Sequence, residues 1–237
     1  ILLLDNLGLW SIDPLEALTV LTPDLAYRES SPRLGGFWSA PTLVTTTPFE
    51  KVLFKVRSEI PDRPLSPLDV DTSALDPPLR YPGLIAGNDQ GDLVVADVGS
   101  QSLYRLTPIN QEDSALTYEA SVLAQSGTQG FGERRDNEDL SLPHGLLYLP
   151  ERKVLWVADY YHNRILEINS AGQARPLFEE NEPPLSFPTS LVRHPNGDIY
   201  ISASGSHQIY VYRSGELKVF AGSGERGLKD GNGPDAQ

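Results

Sequence analysis

The chain has 237 residues and carries 19 Lys+Arg against 32 Asp+Glu, a formal net charge of −13. An acidic balance with no Lys/Arg run argues against a nucleic-acid binder, because phosphate neutralisation needs clustered cations. No apolar run approaches the ~18 residues of a membrane span, and the absence of Cys removes disulfide scaffolds, cysteine zinc sites, thiol catalysis and iron–sulfur clusters together.

From the start of the chain, Ile1–Asp5, Leu9–Asp13 and Leu18–Thr22 read as short strands, followed by Gly36–Ala40, Thr42–Thr46 and Val52–Val56. The next stretch, from Ile60 to Tyr81, carries Pro61, Pro64, Pro67, Pro77 and Pro78, with Pro82 just beyond. That density stiffens a chain into extended conformation more than it folds it. A loop of this length is either functional or a tolerated insertion.

Three segments then align with one another. Tyr81–Asp97 continues through Ser102–Leu106 and Tyr118–Ala124; Leu142–Asp159 continues through Arg164–Ile168 and Ala174–Phe178; Phe187–Ser202 continues through Gln208–Tyr212 and Leu217–Ala221. Each reads as a Pro-led strand, a Gly or charged turn, a second strand ending in Ala-Asp or its substitute, a polar turn, and two further strands. No segment has helical periodicity. With the end of the second strand as marker, the frame falls on Asp5, Thr46, Asp97, Asp159 and Ala203, spaced by 41, 51, 62 and 44 residues. A base period near 40–45 with inserts is what a four-stranded propeller blade requires.

Val157-Ala-Asp159, Asn163-Arg-Ile165 and Pro195-Asn-Gly-Asp198 make the repeat similar to the NHL unit, although Ser202-Ala203 replaces Ala-Asp in the third copy. Ala221–Gln237 resembles the linker that, in NHL proteins, leads into the next Pro-x-Gly strand. The resemblance is strong over 81–237 and weaker over 1–80. It implies an all-β chain: a single β-propeller domain of four-stranded antiparallel blades, about five of them here and six in a complete ring. The expected blades are 1–32, 33–80, 81–125, 142–179 and 187–222, with 223–237 leading into a further inner strand. It does not imply one activity.

Connections in such blades alternate between two faces. The first-to-second turns are short (Asn88–Asp92, Pro150–Lys153, Pro195–Asp198), whereas the links Ile60–Tyr81, Gln125–Pro143 and Gly222–Gln237 all fall on the other face, which is the expected binding face. His144, in Pro143-His-Gly145, enters the inner strand there. Asp159-Tyr-Tyr-His-Asn163 forms the neighbouring hairpin, so His144, Tyr160, Tyr161, His162 and Arg135 are the candidate contacts for a protein or small-molecule ligand. Asp97 and Asp159, each closing a second strand, are expected to accept backbone N–H bonds from the following turn.

Two enzyme families with propellers offer a comparison. Amidating lyases of NHL type place three such histidines around zinc, but here the positions equivalent to His144 are Gly83 and Thr189; sugar-lactonase propellers would place Asn there. Zinc needs three or four ligands, so no cofactor is assigned, and a divalent ion, Zn²⁺ at His144 or Ca²⁺ at the acidic stretches Asp136–Asp139 and Asp230–Asp235, is the weaker option. Phosphate-loop, Gly-x-Ser-x-Gly and His-Glu-x-x-His motifs are absent. The expected function is therefore a binding scaffold, the alternative being a metal-dependent lyase or hydrolase at the channel near His144. Fusion to other domains and an extracytoplasmic location are the accompanying expectations, the latter from the missing Cys and initiator Met.

Overall fold

The computed structural model describes residues 70–80, 82–88, 91–109, 117–125, 140, 142–178 and 185–237 with their side chains, and as backbone only Asp69, Asn110 and the strands before residue 69. The chain divides into two compact units, Ile1–Val122 and Leu123–Gln237. Among the described residues helical structure is confined to the 3₁₀ turns Ser204–Ser206 and Gly233–Asp235. No helix among the described residues is long and apolar enough to cross a membrane.

The first unit holds three sheets. Strands β1 (Leu2–Asp5), β2 (Gly8–Ile12) and β3 (Leu18–Thr22) form an antiparallel meander. Strands β4 (Gly36–Ser39), β5 (Thr42–Thr47), β6 (Val52–Arg57) and β7 (Ser66–Pro67) form a second. In the third, β9 (Pro82–Gly87), β10 (Leu93–Asp97), β11 (Ser102–Asn110) and β12 (Thr117–Gln125) are joined by β8 (Asp69–Asp71), which runs parallel to β12 at the outer edge.

The Pro-rich link thus differs from its expected role as a long loop. Its described parts give β7 to one sheet and β8 to the next, and residues 69–80 are fastened down. Leu75 is buried with Ile85, Val95, Tyr104 and Tyr118, Val70 and Leu79 pack on the same cluster, and the Tyr104 hydroxyl donates to the Pro77 carbonyl at 2.8 Å. The physical reason is that proline-rich backbone is already extended, and a sheet edge is the place where missing N–H groups are tolerated. Pro61 and Pro64 lie outside the described residues.

The second unit holds two four-stranded meanders. One is β13 (Pro143–Leu149), β14 (Val154–Asp159), β15 (Arg164–Ile168) and β16 (Ala174–Pro176). The other is β17 (Pro188–Arg193), β18 (Ile199–Ala203), β19 (Gln208–Arg213) and β20 (Glu216–Ala221). They pack face to face. Leu149, Trp156, Ala158 and Ile165 of the first sheet bury against Leu191, Ile199, Ile201, Ala203 and Tyr210 of the second, and Trp156 meets Tyr212 edge-on at 5.1 Å. Each large side chain so buried contributes ~1.5–3 kcal/mol of transfer free energy.

The turns repeat as closely as the strands. At one end of the blades Asn88–Asp92, Asn169–Gln173 and His194–Asp198 close the same way, the first residue's N–H donating to the last residue's carbonyl. Gly91, Gly172 and Gly197 supply the positive φ just before the last residue. At the other end, Asp97–Ser102, Asp159–Arg164 and Ala203–Gln208 each place a left-handed residue fifth: Gln101, Asn163 and His207, at φ 52°, 52° and 51°.

Candidate functional site

The hairpin between β14 and β15 and the entries to β13 and β17 build one cluster. Pro143, Asp159 and Arg164 lie opposite one another across three strands. Tyr160 therefore begins its turn directly above the start of β13, and its N–H donates to the Leu142 carbonyl at 3.4 Å. Leu142 and Phe187 occupy matching positions before Pro143 and Pro188. Both are left-handed (φ 56° and 49°), although a residue before proline ordinarily favours extended backbone. Phe187 is held there from both sides: its N–H donates to Asn163 Oδ1 at 2.8 Å, and its carbonyl accepts the Ser204 N–H at 3.0 Å.

This arrangement assembles four rings. Tyr160 and Phe187 stack at 4.8 Å with 19° between planes. Tyr161 stands edge-on to both, at 5.1 and 6.3 Å, and the His144 ring lies 5.4 Å from Tyr160. Ring centroids this close are in mutual contact, so no ligand fits between them and any bound group must lie on the outer surface. Tyr161, 58% exposed, is that surface; His144, Tyr160 and Phe187 are half-buried behind it.

The ionisable groups under the ridge are engaged with one another. Asp159 is fully buried and its Oδ2 receives His162 Nδ1 at 2.9 Å and Arg164 Nε at 2.7 Å. Arg164 Nη2 is buried without a hydrogen-bond partner among the described residues. Burial holds the His144 imidazole below its ordinary range, against the opposing effect of a hydrogen bond to the Thr189 backbone, so the ring is neutral at physiological pH. In the preceding blade Asp97, also fully buried, accepts the Arg80 N–H at 2.5 Å and the Ser100 N–H at 2.8 Å.

Of the residues singled out in the sequence, His144, Tyr160, Tyr161 and His162 are brought together. Arg135 and the acidic stretch Asp136–Asp139 lie outside the described residues. Among the described residues no three His, Asp or Glu side chains converge as a metal centre would need. Phe187, Asn163 and Arg164 complete the cluster and went unrecognised. Phe187 was within reach, because the three-repeat alignment puts Tyr81, Leu142 and Phe187 at one position, each immediately before an inner-strand proline.

No family model and no curated protein matches the chain. Solved structures do. Virginiamycin B lyase from Staphylococcus aureus is 13% identical over 91% of this chain and 63% of its own, with a TM-score of 0.59. A chain of a nidogen/laminin complex is 14% identical over 93% of this chain and 77% of its own, at 0.66. An auxiliary nutrient binding protein from Bacteroides ovatus is 18% identical over 86% of this chain and 45% of its own, at 0.59. These neighbours are β-propellers, and with its four-stranded antiparallel sheets the chain has that fold. It spans less than two thirds of the length of the lyase chains it matches.

Proposed function

We propose that the chain is an NHL-type propeller acting as a binding scaffold, and that its partner contacts the aromatic ridge of Tyr161, Tyr160, Phe187 and His144. The repeat sequence supports the NHL reading, and one observation carries the site. An exposed tyrosine rests on Tyr160 and Phe187, with His144 against Tyr160, at the end of the β14–β15 hairpin, while Asp159, His162 and the Nε of Arg164 beneath it are engaged with one another. A rigid aromatic surface with neutral edges gives contact area at low entropic cost. That the neighbours include a nutrient binding protein and a nidogen/laminin complex agrees with a binding role.

Affinity capture from the native source, with the whole chain as bait, tests the reading. Tyr161→Ala and Tyr160→Ala should each release the captured partner, a loss of roughly 1–3 kcal/mol or about tenfold or more in affinity. Asn169→Ala, in a turn at the other end of the strands, should retain it. Capture that survives both tyrosine changes and fails with Asn169→Ala would place binding on the opposite face.

A further inference from the structure

The net charge of −13 is not spread evenly over the chain. The turn between β13 and β14, Pro150-Glu-Arg-Lys153, is fixed by the N–H groups of Arg152 and Lys153, which donate to the Leu149 and Pro150 carbonyls at 3.2 Å each. Arg175 on β16 reaches the same end of the sheet, and Arg193, the last residue of β17, reaches it from the next sheet. Among the described residues, four cations (Arg152, Lys153, Arg175 and Arg193) thus share this end with two acids, Glu151 and Glu167. The neighbouring Asp198–Arg213 and Glu216–Lys218 pairs are balanced.

The two signs are not equally accessible. The Glu167 side chain is 6% exposed, whereas Arg152 and Arg175, which it holds, are 41 and 69% exposed. Its carboxylate is fully used: Oε1 accepts Nε and Nη2 of Arg175 at 3.0 and 2.5 Å, and Oε2 accepts Trp156 Nε1 at 3.0 Å and meets Arg152 Nη2 at 2.6 Å. One buried acid therefore anchors two outward guanidiniums, and their remaining N–H donors take no part in that pair. Arg193 meets Glu151 at 2.8 Å with both partners partly exposed, and a surface pair of this kind is easily exchanged for another. Lys153 is exposed at the corner of the turn.

We propose that this end of β13–β17 docks an acidic segment of a protein partner, with Asp or Glu carboxylates lying across Arg152, Lys153, Arg175 and Arg193. Charge complementarity selects the occupant. A local surplus of two positive charges draws in a short carboxylate-bearing segment, while a long polyanion such as nucleic acid meets the repulsion of an otherwise acidic chain. Guanidinium forks match planar carboxylates in two-pronged pairs. Because Glu167 already orders Arg152 and Arg175, little side-chain entropy remains to be lost on binding. The two sheets that frame the surface already pack on each other, and it lies at the strand ends and not on an unpartnered sheet face. It is at the opposite end of the strands from the Tyr161 ridge and does not depend on that ridge's role.

Fluorescence anisotropy of a labelled Glu/Gly peptide, titrated with the 1–237 chain at low ionic strength, tests this. Binding should show a dissociation constant on the order of 100 μM and weaken as salt is added. Lys153→Gln and Arg175→Gln should each weaken it by about threefold or more, and Glu151→Gln, which removes the competing acid, should tighten it by about threefold. Lys153 and Glu151 are exposed turn residues, so these two variants should keep the wild-type near-ultraviolet circular dichroism. Tyr161→Ala should leave the affinity unchanged. The proposal is overturned if the anisotropy does not change up to about 1 mM chain, or if a Gln/Gly peptide binds equally well. Binding indifferent to both Lys153→Gln and Glu151→Gln overturns it too, since another surface would then be responsible. Tighter binding of a single-stranded DNA of the same length would replace the acidic protein segment with a nucleic acid.

Discussion

Asn163 Oδ1 accepts the Phe187 N–H at 2.8 Å, tying the hairpin of one blade to the entry of the next across 24 residues of sequence. Asn163 is also left-handed, at φ 52°, a conformation Asn tolerates better than most residues. Both properties are lost in Asn163→Ala, which should destabilise by about 1–2 kcal/mol. Asn163→Gly restores the backbone freedom but not the acceptor. Hydrogen exchange of the Phe187 amide separates the two effects: it should accelerate in both variants, whereas equal protection in Asn163→Gly and wild type would show that the bond contributes nothing.

Gly145 lies where the inner strands β13 and β17 approach. A Cβ there would sit 3.0 Å from Ser190 Cα, 3.1 Å from the Thr189 carbonyl oxygen and 3.2 Å from Ala158 Cβ. Two of the three are backbone atoms and cannot swing aside. Gly145→Ala should therefore cost about 1–3 kcal/mol, as overpacking does. Gly83→Ala, whose Cβ would meet nothing nearer than 3.4 Å, should change stability by no more than ~0.5 kcal/mol. Urea unfolding of the two variants beside wild type reads the difference, and equal effects would mean that the inner strands can part without cost.

Glu167 sits in a row with Trp156 and Arg175 across β14, β15 and β16. Its carboxylate accepts Trp156 Nε1 at 3.0 Å and Arg175 Nε at 3.0 Å, with Arg152 at 2.6 Å. Burial acts to raise its pKa, but the hydrogen bonds from Arg175 and Trp156, with the charge of Arg152, prevail and hold it below the ordinary value near 4.5. Since the folded pKa is the lower one, the ionised group stabilises the fold at pH values above about 4.5 and that contribution is lost as the pH falls through the folded pKa. Glu167→Gln should thus be less stable by about 1–3 kcal/mol at neutral pH, and the gap should close as the pH falls through the depressed folded pKa. Unfolding midpoints at a series of pH values test this; a gap independent of pH would assign the loss to packing.

What was legible in the sequence depended on distance along the chain. Strands and turns were readable because alternation, Asn, Gly and Asp act over a few residues, and the repeat gave the same pattern three times. β8 was not readable: Asp69-Val-Asp71 is too short to signal a strand, and only its parallel pairing with Thr117–Glu119 makes it one. Tyr160 and Tyr161 were recognisable as a pair, but their stacking partner Phe187 belongs to the next repeat. The Glu167 row likewise exists only once the register of three strands is fixed.

Asp159 ends β14 at the base of the aromatic ridge, and its partners argue for a positioning role. The carboxylate is fully buried and engages both His162 and Arg164. Removing it in Asp159→Ala would take away the carboxylate that the part-buried Arg164 and His162 share, at a cost of about 1–3 kcal/mol. Asp159→Asn keeps the shape but not the charge and should cost less, while still loosening the hairpin that presents Tyr161. Its effect on partner capture should therefore follow the mobility of that hairpin, read from hydrogen exchange across Tyr160–Asn163. If Asp159→Asn abolished capture while exchange at those amides stayed at wild-type rates, the carboxylate would have to touch the partner itself.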